Sequence, residues 1–217
     1  MSRLLAFSDP HGNPDSARRV VALAKRERPG LVICAGDLTV FGERYQESLE
    51  ILRDLGMPIH WCWGNHESAD VAREIEATVP GVLIDLTYRS VEVDGVRLAG
   101  LPGTQDIAPG TREDEGVLDL ALSLWGTLDR SRGHLILVSH FPPTGCRCDG
   151  LRRDSSGRVG GLPVGDAGGS KVVRGIVERL RPDLVVCGHY HECFGAVDLV
   201  AQSRIINPGP DGTIIEV

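Results

Sequence analysis

The amino-acid sequence predicts an α/β fold organised around a largely parallel sheet. Short apolar runs alternate with amphipathic helix patterns along the chain, which is typical of strand–helix–strand units. The 217 residues are enough for one domain with a substantial core, and they are few for two. Neither a repeat of fixed period nor a linker-like segment interrupts the sequence. We therefore predict a single domain over residues 1–217.

The first half of the chain contains three strand–helix units. Helix patterns cover residues 14–28, 43–55 and 68–78, and each follows an apolar run. Asn13 is placed to cap the first of these helices, and Pro14 stands at its first helical position. A helix that crosses from one strand to the next makes the two strands parallel.

The second half of the chain is less regular. Residues 82–101 form short strand patterns, with Asp94 and Gly95 at a tight antiparallel turn. The remaining predicted elements are a helix at 113–128, a strand before His140, a helix from Ser170 to about residue 180, and short strands at 196–200, 204–206 and 213–217. The irregular segment 142–169 has a length that is usually functional or disordered.

Composition excludes several classes of protein. The 41% hydrophobic and 24% charged residues are ordinary for a globular chain and indicate neither disorder nor a membrane protein. The formal net charge of -7 disfavours long nucleic acids as substrates, because the overall field repels polyanions. No stretch approaches the ~20 apolar residues of a membrane span. The first apolar run is too short for a signal peptide, so we expect a cytoplasmic protein.

Six cysteines are present, and a disulfide framework is not expected for a chain of this type. Cys34, Cys62 and Cys187 lie near the ends of apolar strands, where a thiol packs as a small hydrophobic group. Cys146 and Cys148 lie in a glycine-rich loop, where a Cys-x-Cys pair could bind metal or oxidise. Plain reduced thiols remain the favoured interpretation of both.

Five apolar runs each end on residues that can bind a metal ion. These residues, in chain order, are Asp9 and His11, Asp37, Asn65 with His66 and Glu67, His140, and His189 with His191. Ligand sites in α/β sheets form beyond the carboxyl ends of the strands. Asp9 and His11, like His189 and His191, are separated by one residue, so each pair projects to one side of an extended backbone. The sequence therefore predicts a polar site at one edge of a sheet.

The residue types favour a site for two cations. Carboxylate, imidazole and amide groups without a thiolate suit Mn, Fe, Co, Ni or Zn. One aspartate can bridge two cations ~3.5 to 4 Å apart, the separation that clamps a phosphoryl group. Asp37 is the candidate bridge. Gly36, Gly64 and Gly188 directly precede ligands, and a residue without Cβ permits the close backbone approach required there.

Five blocks in order resemble the signature of the calcineurin-like metallophosphoesterases, and five of the seven histidines lie within them. The blocks are Asp9-Pro10-His11, Gly36-Asp37, Gly64-Asn65-His66-Glu67, Ser139-His140 and Gly188-His189-Tyr190-His191. The resemblance implies a four-layer α/β/β/α sandwich, the metallo-dependent phosphatase fold. It also implies two metal sites, one formed by Asp9, His11, Asp37 and His191 and the other by Asp37, Asn65, His140 and His189.

The same resemblance implies a chemistry. Two transition-metal ions, with Mn or Fe favoured, would activate a bridging water or hydroxide that attacks phosphorus. Asp37 and His66 would be the catalytic residues, with His66 protonating the leaving oxygen. The chain looks most similar to small prokaryotic phosphoesterases, including those similar to class III cyclic-nucleotide phosphodiesterases, partly through Asn207-Pro208-Gly209.

That similarity implies a phosphodiesterase that acts on a small substrate. A phosphomonoesterase is the nearer alternative, and a non-catalytic binding scaffold of the same fold is the other. A homo-oligomer is compatible with the sequence, and nothing in it indicates a membrane partner. The sequence names neither the natural substrate nor the native metal pair.

The partner of His66 stays open. The protein Ser/Thr phosphatase branch has an aspartate three residues after the bridging aspartate, whereas this chain has Val40 there. Glu67 or the bound phosphate itself could take that role, and Glu67 could instead cap the helix that follows. Phe41 and Phe141 could stack on a base or an aryl leaving group, or pack against Pro142. Arginines of the segment 142–169 could form a phosphate-binding lid or be solvated; they are Arg147, Arg152, Arg153 and Arg158.

Overall fold

The computed structural model describes residues 3–109, 115–126, 133–150 and 168–217, which form two sheets between outer helices. The strands are β1 (Arg3–Phe7), β2 (Leu31–Cys34), β3 (Ile59–Trp61), β4 (Leu83–Asp85), β5 (Ser90–Val93), β6 (Val96–Leu101), β7 (His134–Ser139), β8 (Leu184–Val186), β9 (Val197–Val200), β10 (Ser203–Ile206) and β11 (Thr213–Glu216). The helices are α1 (Pro14–Glu27), α2 (Gln46–Leu52), α3 (Ala69–Thr78), α4 (Glu115–Trp125) and α5 (Lys171–Leu180).

Both sheets have parallel centres and antiparallel edges. The first has the order β11-β1-β2-β3-β4, in which only β11 is antiparallel to its neighbour. The second has the order β5-β6-β7-β8-β10-β9, with antiparallel pairs at the two edges. Asp94 and Gly95 connect β5 to β6 as predicted, both with positive φ. The α/β fold prediction is therefore confirmed.

Alternation along the strands explains why the sheets stack in the middle. In β1, Leu4 and Ala6 face the second sheet, whereas Leu5 and Phe7 face the helices of the first layer. Strands that are buried on both faces have continuous apolar sequences, and these apolar runs predict the strands. Burial of a large apolar side chain contributes ~1.5–3 kcal/mol, so the fully buried Phe7 and Trp61 are important to the first layer.

Helix capping follows the predictions in most places. The Asn13 side chain accepts a hydrogen bond of 2.9 Å from the Asp15 N–H at the start of α1. The Ser170 hydroxyl accepts one of 3.2 Å from the Val173 N–H at the start of α5. The helix predicted at 43–55 is shorter than expected, because residues before Gln46 form a tight turn and Arg53–Leu55 is a 3₁₀ turn.

Several predictions concern residues outside the described ranges. The start and end of the helix predicted at 113–128 are among them, as are Arg152, Arg153 and Arg158 of the suggested lid. Arg147 is described, and its N–H donates to Asp198 at 2.9 Å. No helix within the described ranges has both the length and the apolar character that crossing a membrane requires.

The cysteines of the described residues are free thiols. Burial raises the pKa of Cys34 and Cys62, which therefore stay protonated, in agreement with their prediction as reduced core thiols. Cys146 and Cys148 are also buried. Their thiols donate to the carbonyls of Pro143 at 3.0 Å and Ala196 at 3.5 Å, so both pack as structural thiols.

Candidate metal centre

The predicted ligands lie together where strands of both sheets end. Loops after neighbouring strands are joined by backbone hydrogen bonds, including Asp9 N–H to the Gly36 carbonyl at 3.0 Å and His11 N–H to the Asp37 carbonyl at 3.0 Å. The Gly188 N–H donates across the second sheet to the His140 carbonyl at 2.9 Å. The two sheets therefore deliver their ligands to one shared edge.

Four of these ligands have a left-handed backbone. The φ angles are 53° at Asp9, 45° at His11, 53° at Asp37 and 71° at His189. This conformation costs a non-glycine residue roughly 1–2 kcal/mol. Strained residues cluster at functional sites, where the surrounding structure holds them in place. The concentration of strain at this edge points to a site shaped for binding.

We call Asp9, His11 and His191 the open group. The Nε2 atoms of His11 and His191 are 3.1 Å apart, and the His191 Nε2 is 3.9 Å from Asp9 Oδ1. The His11 Nδ1–H donates to the Thr39 carbonyl at 3.2 Å, which leaves the lone pair of a neutral ring on Nε2. The side chain of His191 is 55% exposed and that of His11 is partly exposed, whereas Asp9 is buried, so the group opens to solvent on its histidine side.

We call Asn65, His140 and His189 the buried group. Asn65 Oδ1 lies 2.8 Å from His140 Nε2 and 2.9 Å from His189 Nδ1. His140 is 0% exposed, and its Nδ1–H donates to the Ala35 carbonyl at 2.9 Å. Its Nε2 therefore presents a lone pair toward another acceptor, an arrangement that a proton or a metal ion between them would stabilise.

Asp37 lies between the two groups. Its Oδ2 is 3.7 Å from His11 Nε2 and 3.5 Å from His140 Nε2. Its Oδ1 accepts the His66 N–H at 3.0 Å, so the carboxylate plane is fixed. One oxygen is thus directed to the space between the open group and the buried group.

Burial and nearby charge shift the pKa of the buried His140 and that of the partly buried His189 in opposite directions. Burial, followed by the nearby His140, lowers the pKa of His189 to about 4, so its ring is neutral near pH 7 and can coordinate metal. For His140, burial favours the neutral ring. The Asp37 and Asp9 carboxylates and the Ala35 carbonyl outweigh that effect and raise its pKa.

The residues present fit two divalent ions of the kind predicted. Three oxygen-bearing side chains and four imidazoles converge, with Asn65 Oδ1 2.8 Å from His140 Nε2 and the Nε2 atoms of His11 and His191 3.1 Å apart. A Cβ on Gly64 would lie 1.9 Å from Asp37 Oδ1, and a Cβ on Gly188 would lie 2.5 Å from Asp9 Oδ2. Glycine is therefore required at both positions, as the sequence indicated.

Glu67 has a different role from those predicted. Its buried carboxylate accepts the N–H groups of Asp37 at 3.0 Å, Thr39 at 2.9 Å and Gly64 at 2.8 Å, and also the Thr39 hydroxyl at 2.9 Å. Burial, with Asp37 second, raises its pKa. Ser68, not Glu67, caps α3, and the Glu67 carboxylate is turned to the β2 loop rather than to His66. Glu67 therefore ties together the loops after β2 and β3.

His66 lies beside the predicted ligands, and one of its ring nitrogens is within 4.8 Å of candidate ligand atoms of His11 and Asp37. Its Nε2 is 3.9 Å from Asp37 Oδ2. Burial, opposed by Asp37 and reinforced by His11 and His140, lowers its pKa. Its Nδ1 is buried and has no hydrogen-bond partner among the described residues. The ring instead stacks on Phe41, with centroids 4.0 Å apart and an interplanar angle of 17°.

The two aromatic residues singled out in the sequence behave differently. Phe41 is 70% exposed and stacks on His66, so it does not pack against Pro142. Phe141 is buried, and its ring meets His189 edge-on at 4.7 Å. Phe141 therefore supports the buried group from the core, and its ring is not available to a substrate.

Asn207 completes the support of the His189 and His191 loop. Its buried amide donates to the carbonyls of Gly188 at 3.4 Å and Tyr190 at 3.1 Å, and it accepts the Ser8 hydroxyl at 3.3 Å. This side chain joins the ends of β1 and β10 to the ligand loop. In the sequence, Asn207 stands out only through the Asn207-Pro208-Gly209 similarity, which assigns it no supporting role; its position after an apolar strand was the available signal.

A cavity of about 520 Å³ opens beside the open group. Its walls include Asp9, His11, Val40, Arg44, His191 and Phe194. Arg44 is the one lysine or arginine among these described lining residues, and no ion pair is formed by it within the described part of the chain. The ring of Phe194 stacks on His191 with centroids 5.0 Å apart. Arg44 and Phe194 were not identified from the sequence.

Comparisons with known proteins agree with this geometry. The family model described as calcineurin-like phosphoesterase matches residues 2–193. No match to a curated protein was found. The fold is similar to that of the solved structure of TT1561 from Thermus thermophilus, with 19% identity, coverage of 96% of this chain and 89% of that chain, and a TM-score of 0.67.

Two further structures share the fold. A dimetal phosphatase from Danio rerio is 14% identical, with coverage of 94% and 86% of the two chains and a TM-score of 0.61. A phosphopantetheinyl hydrolase from Mycobacterium tuberculosis is 16% identical, with coverage of 95% and 88% and a TM-score of 0.55. The chain therefore belongs to the calcineurin-like phosphoesterases, a dimetal-dependent family, and is a hydrolase of phosphoesters.

Proposed function

We propose that the edge described above holds two divalent ions that share Asp37. Asp9, His11, Asp37 and His191 would bind one ion, and Asp37, Asn65, His140 and His189 would bind the other. The observation that carries the proposal is the position of Asp37 Oδ2, which lies 3.7 Å from a nitrogen of the open group and 3.5 Å from a nitrogen of the buried group. Mn or Fe suits this set of nitrogen and oxygen ligands.

When bound, two such ions supply a water of lowered pKa and offset the charge that develops on the phosphoryl oxygens. The chain itself supplies the proton for the leaving group. His66 Nε2 lies at the rim of the site, 3.9 Å from Asp37 Oδ2, where it can reach the leaving oxygen. A bound phosphoester places an anion beside the ring and favours the protonated imidazole, against the effect of burial.

The substrate we propose is a small phosphodiester. The cavity of about 520 Å³ continues outward from the open group, and Val40 and Phe194 give it apolar walls, so it has room for a second ester substituent. The net charge of -7 disfavours a long nucleic acid. We also propose a cytoplasmic location, and homo-oligomerisation stays a prediction.

Phosphomonoester hydrolysis is the second candidate. Arg44 lines the same cavity and forms no ion pair with another described residue, and a guanidinium can bind the additional charge of a monoester dianion. The third candidate, a non-catalytic scaffold, is disfavoured because every ligand position of the family pattern is filled in this chain.

A substrate panel with the Mn-loaded protein tests the proposal. It should compare bis(p-nitrophenyl) phosphate, p-nitrophenyl phosphate and cyclic nucleotides at equal metal content. We expect a higher kcat/KM for at least one diester than for the monoester. A consistent preference for the monoester would support the second candidate, and absence of turnover on every substrate would support the scaffold.

The role of His66 is tested with a matched pair of variants. His66→Ala should keep its metal but lose about 10²- to 10⁴-fold in kcat on alkyl diesters, with a smaller loss on activated aryl esters. His134→Ala is the control, because His134 begins β7 with a half-exposed side chain at the opposite end from the site. Equal losses on both classes of ester would argue against proton donation by His66.

A further inference from the structure

His66 lacks the polar partner that usually fixes a catalytic imidazole. Its Nδ1 is buried without a hydrogen-bond partner among the described residues, and its Nε2 reaches only to 3.9 Å of Asp37 Oδ2. Val40, three residues after Asp37, has an apolar side chain and cannot supply an acceptor. The Glu67 carboxylate is fully used by the loops after β2 and β3. Ring contacts, with Phe41 and with His11, are therefore what the structure offers to orient the His66 imidazole.

Phe41 makes the closer of these ring contacts although most of the residue is exposed to solvent. Its ring covers one face of His66 at 4.0 Å and 17°, and yet 70% of the residue is exposed. A phenylalanine that exposed gains little from burial, so core packing does not explain its position. Its backbone is also left-handed, with φ of 51°, which a bulky residue adopts only at a cost.

The conformation of Phe41 is imposed by a tight turn. Val40 and Glu43 exchange both backbone hydrogen bonds, at 3.1 and 3.0 Å, and φ is positive at Phe41 and at Gly42, as in a type I′ turn. Asn, Asp or Gly is the usual first central residue of such a turn, not phenylalanine. Phe41 therefore has a strained backbone at the position from which its ring stacks on His66.

The turn is anchored to the metal-ligand loops. The Gly42 N–H donates to the Thr39 hydroxyl at 3.0 Å, and that hydroxyl donates to Glu67 at 2.9 Å. Glu67 in turn accepts the Asp37 N–H. One continuous set of hydrogen bonds thus connects the position of the Phe41 ring to the candidate bridging ligand.

We propose that Phe41 is a positioning residue for His66. Its ring fixes the plane of the imidazole by stacking, and it does so without occupying either ring nitrogen. His66 then keeps Nε2 free for the leaving oxygen while its orientation is set from the side. The catalytic consequence rests on the proposed function of His66; the stacking itself does not.

The first test needs no turnover. NMR of the metal-free protein should show the His66 ring protons shielded by the Phe41 face, and contacts between the His66 and His11 rings, whose centroids are 4.7 Å apart. Phe41→Leu should move the His66 signals downfield and weaken the contacts to His11, and Phe41→Tyr should retain both. Phe194→Leu is the matched control, because Phe194 stacks on His191 and not on His66. Unchanged His66 signals in Phe41→Leu would overturn the proposal.

The second test is kinetic. Phe41→Leu should lower kcat on alkyl phosphodiesters by about threefold to tenfold, the effect of one lost stacked pair, with KM unchanged and little effect on p-nitrophenyl esters. Phe41→Tyr, which keeps an aromatic ring, should have the wild-type kcat. A Leu variant with the wild-type kcat and wild-type dependence on the leaving group would overturn the proposal even if the rings stack.

The two tests also separate this inference from the function on which it rests. If the wild-type protein hydrolyses no phosphoester, the proposed function fails, and the NMR comparison alone decides whether Phe41 orients His66. If the wild-type protein is active but Phe41→Leu changes neither the His66 ring nor kcat, the positioning role fails and the proposed function stands.

Discussion

The open group and the buried group of the candidate centre are built from similar ligands but held in different ways. His140 of the buried group is 0% exposed, and both ring nitrogens have neighbours within 3 Å, at the Ala35 carbonyl and at Asn65. His191 of the open group is 55% exposed, and its ring is stacked on Phe194 at the wall of the cavity. His140 is thus part of the core and His191 part of the surface, while Asp9 of the open group is buried and Asn65 and His189 are partly buried.

This difference assigns two tasks to different parts of the cluster: retention of metal to the buried group and contact with substrate to the open group. The buried group is ordered before any ion arrives, so it loses little conformational entropy on binding. The open group borders the space that a substrate must enter. We therefore expect changes in the buried group to affect metal retention and stability together, and changes in the open group to affect metal occupancy or substrate binding alone.

The largest effect is expected at Asp37, the residue that the two groups share. Asp37→Ala should remove both ions and lower kcat/KM by more than the ~10- to 100-fold that loss of a residue supporting a metal ligand typically costs. Metal analysis and turnover of the Mn-loaded variant check this. Asp54→Ala is the control, since Asp54 is exposed and its nearest cation, Lys25, is 3.8 Å away. Retention of two ions in Asp37→Ala would contradict a shared ligand.

Glu67 accepts a hydrogen bond from the Asp37 N–H, and its substitution should have the next largest effect. Glu67→Gln keeps the shape of the side chain but replaces one acceptor oxygen by a donor that faces backbone N–H groups. Metal affinity should fall by about 10- to 100-fold, measured by calorimetric titration of Mn. Glu50→Gln, on an exposed residue paired with Arg53, should leave the affinity unchanged.

Alanine variants of His140 and His191 allow a direct comparison of the two groups. His140→Ala leaves the buried Ala35 carbonyl without its donor and should lower the free energy of unfolding of the metal-free protein by about 1–3 kcal/mol. His191→Ala removes an exposed ring and should change it by less than about 0.5 kcal/mol. Denaturant titration of both variants measures the difference. Equal losses of stability would remove the distinction between the two groups.

The smallest effect is expected at Arg44, on the open side. Arg44→Ala should raise KM for an anionic phosphoester by about tenfold, consistent with loss of one charge-assisted hydrogen bond at a partly solvated site. Metal content and kcat should stay unchanged. Arg53→Ala, which removes an exposed arginine at the C-terminal end of α2, provides the control in steady-state kinetics. A fall in kcat without a rise in KM would place Arg44 outside the substrate cavity.

The sequence predicted the ligands well because their signal is local. Each lies directly after an apolar strand, and parallel strands bring their carboxyl ends to the same edge. The glycines before Asn65 and His189 were informative for the same reason, since a side chain at Gly64 or Gly188 would collide with a ligand carboxylate. The strand–helix order likewise sufficed for the α/β fold.

The surroundings of His66 could not be predicted because they depend on one turn. The sequence pattern predicts a helix from residue 43, but Glu43 closes the turn at residues 40–43 that presents Phe41, and α2 begins at Gln46. A positive φ at phenylalanine has no sequence signature. Glu67 was misassigned for a related reason: apart from Gly64, the partners of its carboxylate lie in the β2 loop, 28 to 30 residues earlier in the chain.

The central claim is that Asp37 is shared by two ions, and anomalous diffraction from crystals grown with Mn tests it most directly. We expect two anomalous peaks on either side of Asp37 Oδ2, about 3.5–4 Å apart, with His11 beside one and His140 beside the other. A single peak, or two peaks of which only one contacts Asp37, would contradict the claim.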